Sequence, residues 1–273
     1  MSNNVPNAAQ HSQIETNAAR MRVVILGASN LSLTFRTIVQ SALAMFDGPL
    51  ELFVAKGFGR SYGRDSKFFG KKFPGILQCG IWDALHRAPP LPTVAVVADL
   101  GNDLAYEAPV DDVVGWVSTA LDRLDEHGAR VALNNVPIAS LRTVGAARYY
   151  LFRELFFPSC KLPRQEMLHR AEQLSDALDR LAEEREKPIF SGEIGWYGLD
   201  PIHPRRAAAG EVWQRMLGAL RAPEAAPAHG VEVAVRVLPW HRLRPAFYWH
   251  FGVARRAAQP CARLVDGSTI AIY

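Results

Sequence analysis

Five apolar residues in a row, Val94-Ala95-Val96-Val97-Ala98, constrain this chain more than any other feature. The run is short for a helix, and as a strand it has no polar face to turn toward water. It therefore reads as a central strand of a parallel sheet, covered on both faces by helices. Its neighbours repeat the demand. Val23-Val24-Ile25-Leu26 precedes Leu31, Phe35, Ile38, Val39, Ala42, Leu43 and Phe46 at helical spacing, which Asp47-Gly48-Pro49 stops. Residues 50–55 read as a second strand. Val113, Val114, Val117, Ala120, Leu121 and Leu124 mark an amphipathic helix closed by Gly128, and 131–134 a fourth strand. The expected fold class is α/β, a three-layer sandwich around a parallel sheet.

A short helix is expected over 75–85, before Pro89-Pro90. Residues 137–187 carry Tyr149, Tyr150, Phe152, Phe156 and Phe157, then a helix with Met167, Leu168, Ala171, Leu174, Leu178 and Leu181 on one face. Pro188-Ile189-Phe190 gives a short last strand and 205–221 a last helix. Five aromatics in nine residues bury more apolar area than a surface connection needs. The expectation is that they pack under the following helix or in a subunit interface of a homo-oligomer; the other use is to wall a pocket beside a functional site.

With 273 residues, 49% of them hydrophobic, there is enough chain for one full α/β domain and something small beside it. Residues 1–20 are polar and aperiodic and are expected to be a disordered tail; 21–221 form the main domain. An Ala-Pro-rich linker begins a β-rich C-terminal extension, 222–273, in which Val231 to Leu238 and the runs flanking Asp266-Gly267 read as strands. A net charge of +4, without a long basic run, does not point to nucleic acid. Cys79, Cys160 and Cys261 are odd in number and far apart, which suits buried thiols in a reducing compartment. No signal-peptide core and no run of membrane-spanning length is seen, so the expectation is a cytoplasmic protein without a membrane span. The histidines lack ligand spacing, and neither metal nor cofactor is expected.

Ser29 follows the first strand through Gly27-Ala28 and opens the first helix, where helix amides face whatever a short nucleophile attacks. A serine needs a base and a residue to orient that base. Gly198-Leu199-Asp200-Pro201-Ile202-His203-Pro204 offers both in one stiff segment, and Gly101-Asn102-Asp103 follows the central strand. Together with Gly59 in Gly57-Phe58-Gly59-Arg60, these blocks resemble the SGNH (GDSL-type) hydrolases over roughly residues 21–221. The resemblance implies a flavodoxin-like sheet with Ser29 as nucleophile, His203 as base and Asp200 as its orienter. It also implies an oxyanion hole from the amides of Ser29 and Gly59 and the side chain of Asn102, acting on a small-molecule ester. Two positions depart from the family pattern: Ala28 stands where aspartate is usual, and Leu100 where glycine is. Acyl transfer to another alcohol would use the same residues.

Three other readings compete. Gly59-Arg60-Ser61-Tyr62-Gly63 matches a nucleophile elbow and would make Ser61 the nucleophile, but too few strands precede it and no partner oxyanion motif lies upstream. The strand-Gly-Ala-Ser opening resembles a nucleotide-binding Rossmann start, without its later glycines or a ribose-binding acid. A non-catalytic binding module is the third. Lys56, Arg60, Arg64, Lys67, Lys71 and Lys72 adjoin Gly59, either as a solvated face or to favour an anionic substrate.

Overall fold

The computed structural model describes residues 19–221 and 243–273. Met21–Leu26 (β1) leads into the helix Ser29–Met45 (α1), followed by Leu50–Ala55 (β2), a hairpin of Ser66–Phe68 (β3) and Lys71–Phe73 (β4), and the helix Ile81–Arg87 (α2). Thr93–Val97 (β5), Val110–Glu126 (α3), Arg130–Asn134 (β6), Ile138–Leu141 (α4), Ala146–Phe156 (α5), Arg164–Glu184 (α6), Ile189–Phe190 (β7) and Ala209–Gly218 (α7) complete the main run. Phe247–His250 (β8), Val253–Arg256 (β9), Ala262–Arg263 (β10) and Thr269–Ile272 (β11) follow.

The main sheet has the order β10-β11-β2-β1-β5-β6-β7, parallel from β11 to β7. Its β2-β1-β5-β6-β7 part is the flavodoxin-like order, which puts a crevice where β1 and β5 send their connections to opposite sides. Alternation along the strands explains why both faces must be covered. Val24, Leu26, Ala95 and Val97 pack with α3 and α6, while Val23, Ile25, Val94 and Val96 pack with α1 and α7. The Trp213 indole donates to the Thr34 hydroxyl at 2.8 Å, tying α7 to α1.

Several expectations change in detail. The helix expected over 75–85 divides into a 3₁₀ turn at Ile76–Gln78 and α2, and the last helix begins only at Ala209, after a proline-stiffened loop. The Asp266-Gly267 hairpin forms between β10 and β11, but β11 does not stand in a separate body: it pairs in parallel with β2 as part of the main sheet. The expected tail up to residue 18, the Ala-Pro stretch from 222 and the Val231 to Leu238 run lie outside the described residues.

A second sheet, β3-β4-β8-β9, was not legible from alternation. Each of its hairpins turns through two left-handed residues, Phe69-Gly70 (φ 42° and 72°) and Phe251-Gly252 (φ 47° and 79°). A residue with a Cβ pays about 1–2 kcal/mol for that conformation, so phenylalanine there is a poor choice for the backbone alone.

Candidate active site

All the residues that matter lie beyond the carboxyl ends of parallel strands. Ser29 begins α1 one turn after β1; its predecessor Ala28 makes no side-chain cap, so the first amides of the helix are left for other acceptors. His203 arrives from the loop after β7. Its Nε2 is 2.8 Å from the Ser29 Oγ, and its Nδ1 is 2.6 Å from Asp200 Oδ2. The other Asp200 oxygen accepts the amides of Ile202 (3.0 Å) and His203 (3.1 Å), so this carboxylate folds the loop as well as holding the ring. Burial pushes the Asp200 carboxyl up, but the His203 ring and those two amides outweigh it and leave it below its ordinary value. Asp200 is ionised where His203 needs a counter-charge.

Asn102 lines the same cleft, and its Nδ2 donates to the Arg60 carbonyl at 2.8 Å, which fixes the amide's orientation. Gly59 is not among the residues lining that cleft. It sits next to Arg60 with φ +60°, and its carbonyl accepts the Tyr106 hydroxyl. An added Cβ would stand 2.8 Å from Tyr106 Oη and 3.0 Å from Phe68 Cδ2, so only glycine fits. The structure thus brings Ser29, Asp200 and His203 into contact and sets Asn102 beside them, with Gly59 one residue behind.

Ser61, the elbow candidate, is fully buried, donates to the Asp103 carboxylate, and accepts the amides of Gly63 (3.2 Å) and Arg64 (3.1 Å). Asp103 also takes the Tyr62 amide at 2.9 Å, and the Tyr62 hydroxyl reaches the carbonyls of Leu26 (3.1 Å) and Ala98 (2.7 Å). Ser61 therefore belongs to a clamp joining the loop after β2 to the ends of β1 and β5. Among the described residues it has no histidine partner.

Asp99 is the residue at this site that sequence reasoning passed over. In a left-handed conformation (φ 61°), it accepts the Ala28 amide (2.5 Å) on one oxygen and Asn30 Nδ2 (2.5 Å) on the other. Asn30 also donates to the Ile202 carbonyl at 3.1 Å, linking the serine turn to the histidine loop. Burial raises the Asp99 carboxyl above its ordinary value, against the pull of the Ala28 amide and the Asn30 side chain. The signal was the missing aspartate at 28: the carboxylate for this turn comes instead from the neighbouring strand. Gly27 makes room for it, since a Cβ there would lie 3.1 Å from Asp99 Oδ2 and 2.6 Å from Leu31 Cδ1.

The aromatic cluster differs from the expectation of core packing under α6. No residue of α5 is buried; Tyr149, Phe152, Phe156 and Phe157 instead wall an apolar cleft that has Ser29 and His203 on its other side. Phe68 from β3 stacks on Phe156 with centroids 6.1 Å apart. The basic stretch also differs from the steering idea: none of Lys56, Arg60, Arg64, Lys67, Lys71 or Lys72 lines this cleft, and Arg60 is wholly buried, donating to Lys56 O, Pro74 O and Tyr273 O.

Lys56 lies over the Phe35 ring at 4.8 Å, and burial, with the charges of Lys71 and Arg60, lowers its ammonium to about 8. The unfolded chain keeps that proton up to the ordinary value of 10.5, so this residue makes folding more favourable as pH rises from about 8 toward 10.5. Lys56→Met should raise Tm at neutral pH and flatten its dependence on pH across that window, read by thermal melts. An unchanged slope would show that Lys56 is solvated.

No family model and no curated protein matches the chain. Among solved structures, it is similar to an acetyl xylan esterase (TM-score 0.50, 14% identity, covering 73% of this chain and 100% of that one). It is also similar to a member of the lipolytic protein G-D-S-L family from Veillonella parvula (0.46, 11%, 73% and 97%) and to the psychrotrophic esterase EstA from Pseudoalteromonas sp. (0.44, 13%, 73% and 95%). At such identities the likeness concerns fold.

Proposed function

We propose that this chain, which has the fold of the GDSL-type hydrolases, is a serine esterase that cleaves carboxylic esters through an acyl-enzyme on Ser29. The observation that carries the reading is the Ser29–His203–Asp200 hydrogen-bonded series, assembled from residues 174 positions apart in the chain. Chance burial does not require that alignment; proton transfer from a hydroxyl does.

In the proposed reaction, His203 Nε2 takes the proton as Ser29 Oγ attacks the ester carbonyl. Asp200 holds the Nδ1 proton and stabilises the imidazolium. The oxyanion is received by the Ser29 amide and the Asn102 side chain; these neutral donors gain strength where water is excluded. The imidazolium then returns its proton to the leaving alcohol. Water, deprotonated by His203, attacks the acyl carbon, and the imidazolium returns that proton to Ser29 Oγ as the acyl–oxygen bond breaks, freeing the acid and the serine.

The substrate class follows from the wall opposite the serine. Leu104, Val136, Val144, Phe152 and Phe156 offer an apolar trough suited to the hydrocarbon of an acyl group. Phe156→Ala should shift preference among p-nitrophenyl esters of increasing chain length while Tm moves little, because the ring is only half-buried. A full core phenylalanine would instead cost about 3–5 kcal/mol of stability. Lost stability with unchanged chain-length preference would remove the ring from the substrate wall.

A further inference from the structure

The hairpins of the β3-β4-β8-β9 sheet hold none of the reacting groups, and their surface is unusual. At the first position of such left-handed turns asparagine is favoured. Here that position carries Phe69 and Phe251, 71% and 77% exposed. The two tips lie side by side: the Phe251 amide donates to the Gly70 carbonyl at 2.7 Å, and a Cβ on Gly70 would meet the Phe251 ring at 2.5 Å. An unfavourable backbone and an unfavourable exposure are thus accepted twice in one place.

Charge surrounds these rings. Residues 64–73 and 247–256 contain six lysines and arginines against one acid, Asp65, which Lys72 engages at 2.7 Å. Lys67 pairs with Lys72, and Lys72 with Trp249, so all three share one sheet face, where the Lys72 ammonium lies over the indole at 4.6 Å. The opposite face carries Phe73 and Tyr248, buried and stacked at 5.8 Å. Between the tips and the end of α5 runs a groove lined by Lys71, Leu155, Phe156, Trp249 and Phe251. Phe156 lines this groove and the Ser29 cleft alike, so the two meet at that ring.

We propose that the paired hairpin tips and the basic sheet face seat the protein on an anionic lipid–water interface, from which an acyl chain passes over Phe156 into the cleft. Lysines interleaved with protruding aromatics fit a headgroup layer, where ammonium groups reach phosphates while rings enter the acyl boundary. The core of a protein–protein interface is depleted in lysine, which argues against a protein partner or a second copy on this face. The docking stands by itself; only the passage of the acyl chain rests on the esterase reading.

The test is sedimentation with phosphatidylcholine vesicles and with vesicles also containing phosphatidylglycerol, using the Ser29→Ala protein so that turnover plays no part. Binding to the anionic vesicles is expected to be stronger by at least about tenfold and to weaken with salt. Phe69→Asn with Phe251→Asn should weaken it by about tenfold or more per ring. Because asparagine suits both turns, Tm should hold or rise, which separates lost docking from lost folding. In the Ser29 background, the same pair of changes should spare hydrolysis of a soluble acetyl ester and lower that of a long-chain ester held in anionic vesicles. Equal binding to both vesicle types, or binding indifferent to the double change, would overturn the proposal. So would a concentration-dependent dimer that the double change dissolves, since a second copy would then own the surface. Failure of ester hydrolysis alone would overturn the esterase reading and leave vesicle binding intact.

Discussion

Ser29→Ala should lower ester hydrolysis by about 10⁴-fold or more and abolish labelling by a fluorophosphonate probe. The loss should be in kcat, because the hydroxyl adds little to ground-state binding and everything to bond formation. Ser61→Ala is the informative companion. Its hydroxyl satisfies the buried Asp103 carboxylate, so its removal should reduce stability while most turnover per folded molecule remains. If the Ser61 change removed activity and the Ser29 change did not, the nucleophile would lie in the loop after β2 and the proposed mechanism would be wrong.

Asn102→Ala should lower kcat by about 10²- to 10³-fold with a small change in KM, the effect of losing one oxyanion donor. The side chain has a second attachment, to the Arg60 carbonyl at 2.8 Å, so part of any loss could come from the Gly59–Arg60 loop shifting. The two sources separate in a melt: loss of oxyanion contact leaves Tm near the wild-type value, whereas loss of the loop tether lowers it. An unchanged kcat would remove Asn102 from the reaction.

The sheet was legible because parallel strands buried on both faces must be apolar throughout, and 94–98 and 23–26 are. Ser29, Asn102, Asp200 and His203 were legible because short blocks in a fixed order stood at expected strand ends. Less could be read where the controlling contact is remote. Asp99 looks like any residue following a strand until its two oxygens are seen on Ala28 and Asn30, some seventy positions earlier. The hairpin β3-β4 has strands of three residues, too short for alternation to register, and its Phe-Gly turn lacks the Asn-Gly signature. The aromatics of α5 carried the right composition for either a core or a cleft; which it was depended on what lay across from them.

The strand β11 has a consequence for how the molecule is made. Its residues 269–272 pair with 51–54, more than two hundred positions away, in parallel. Such a contact closes late, both because a long loop must be ordered and because a ribosome delivers residue 272 long after residue 51. The buried Arg60 guanidinium donates to the carbonyl of Tyr273, and the Arg60 carbonyl in turn receives Asn102. A nascent chain that has already released β1 through α7 therefore carries its serine, aspartate and histidine, yet lacks the brace behind Asn102, the proposed oxyanion donor. Turnover should switch on with docking of this strand.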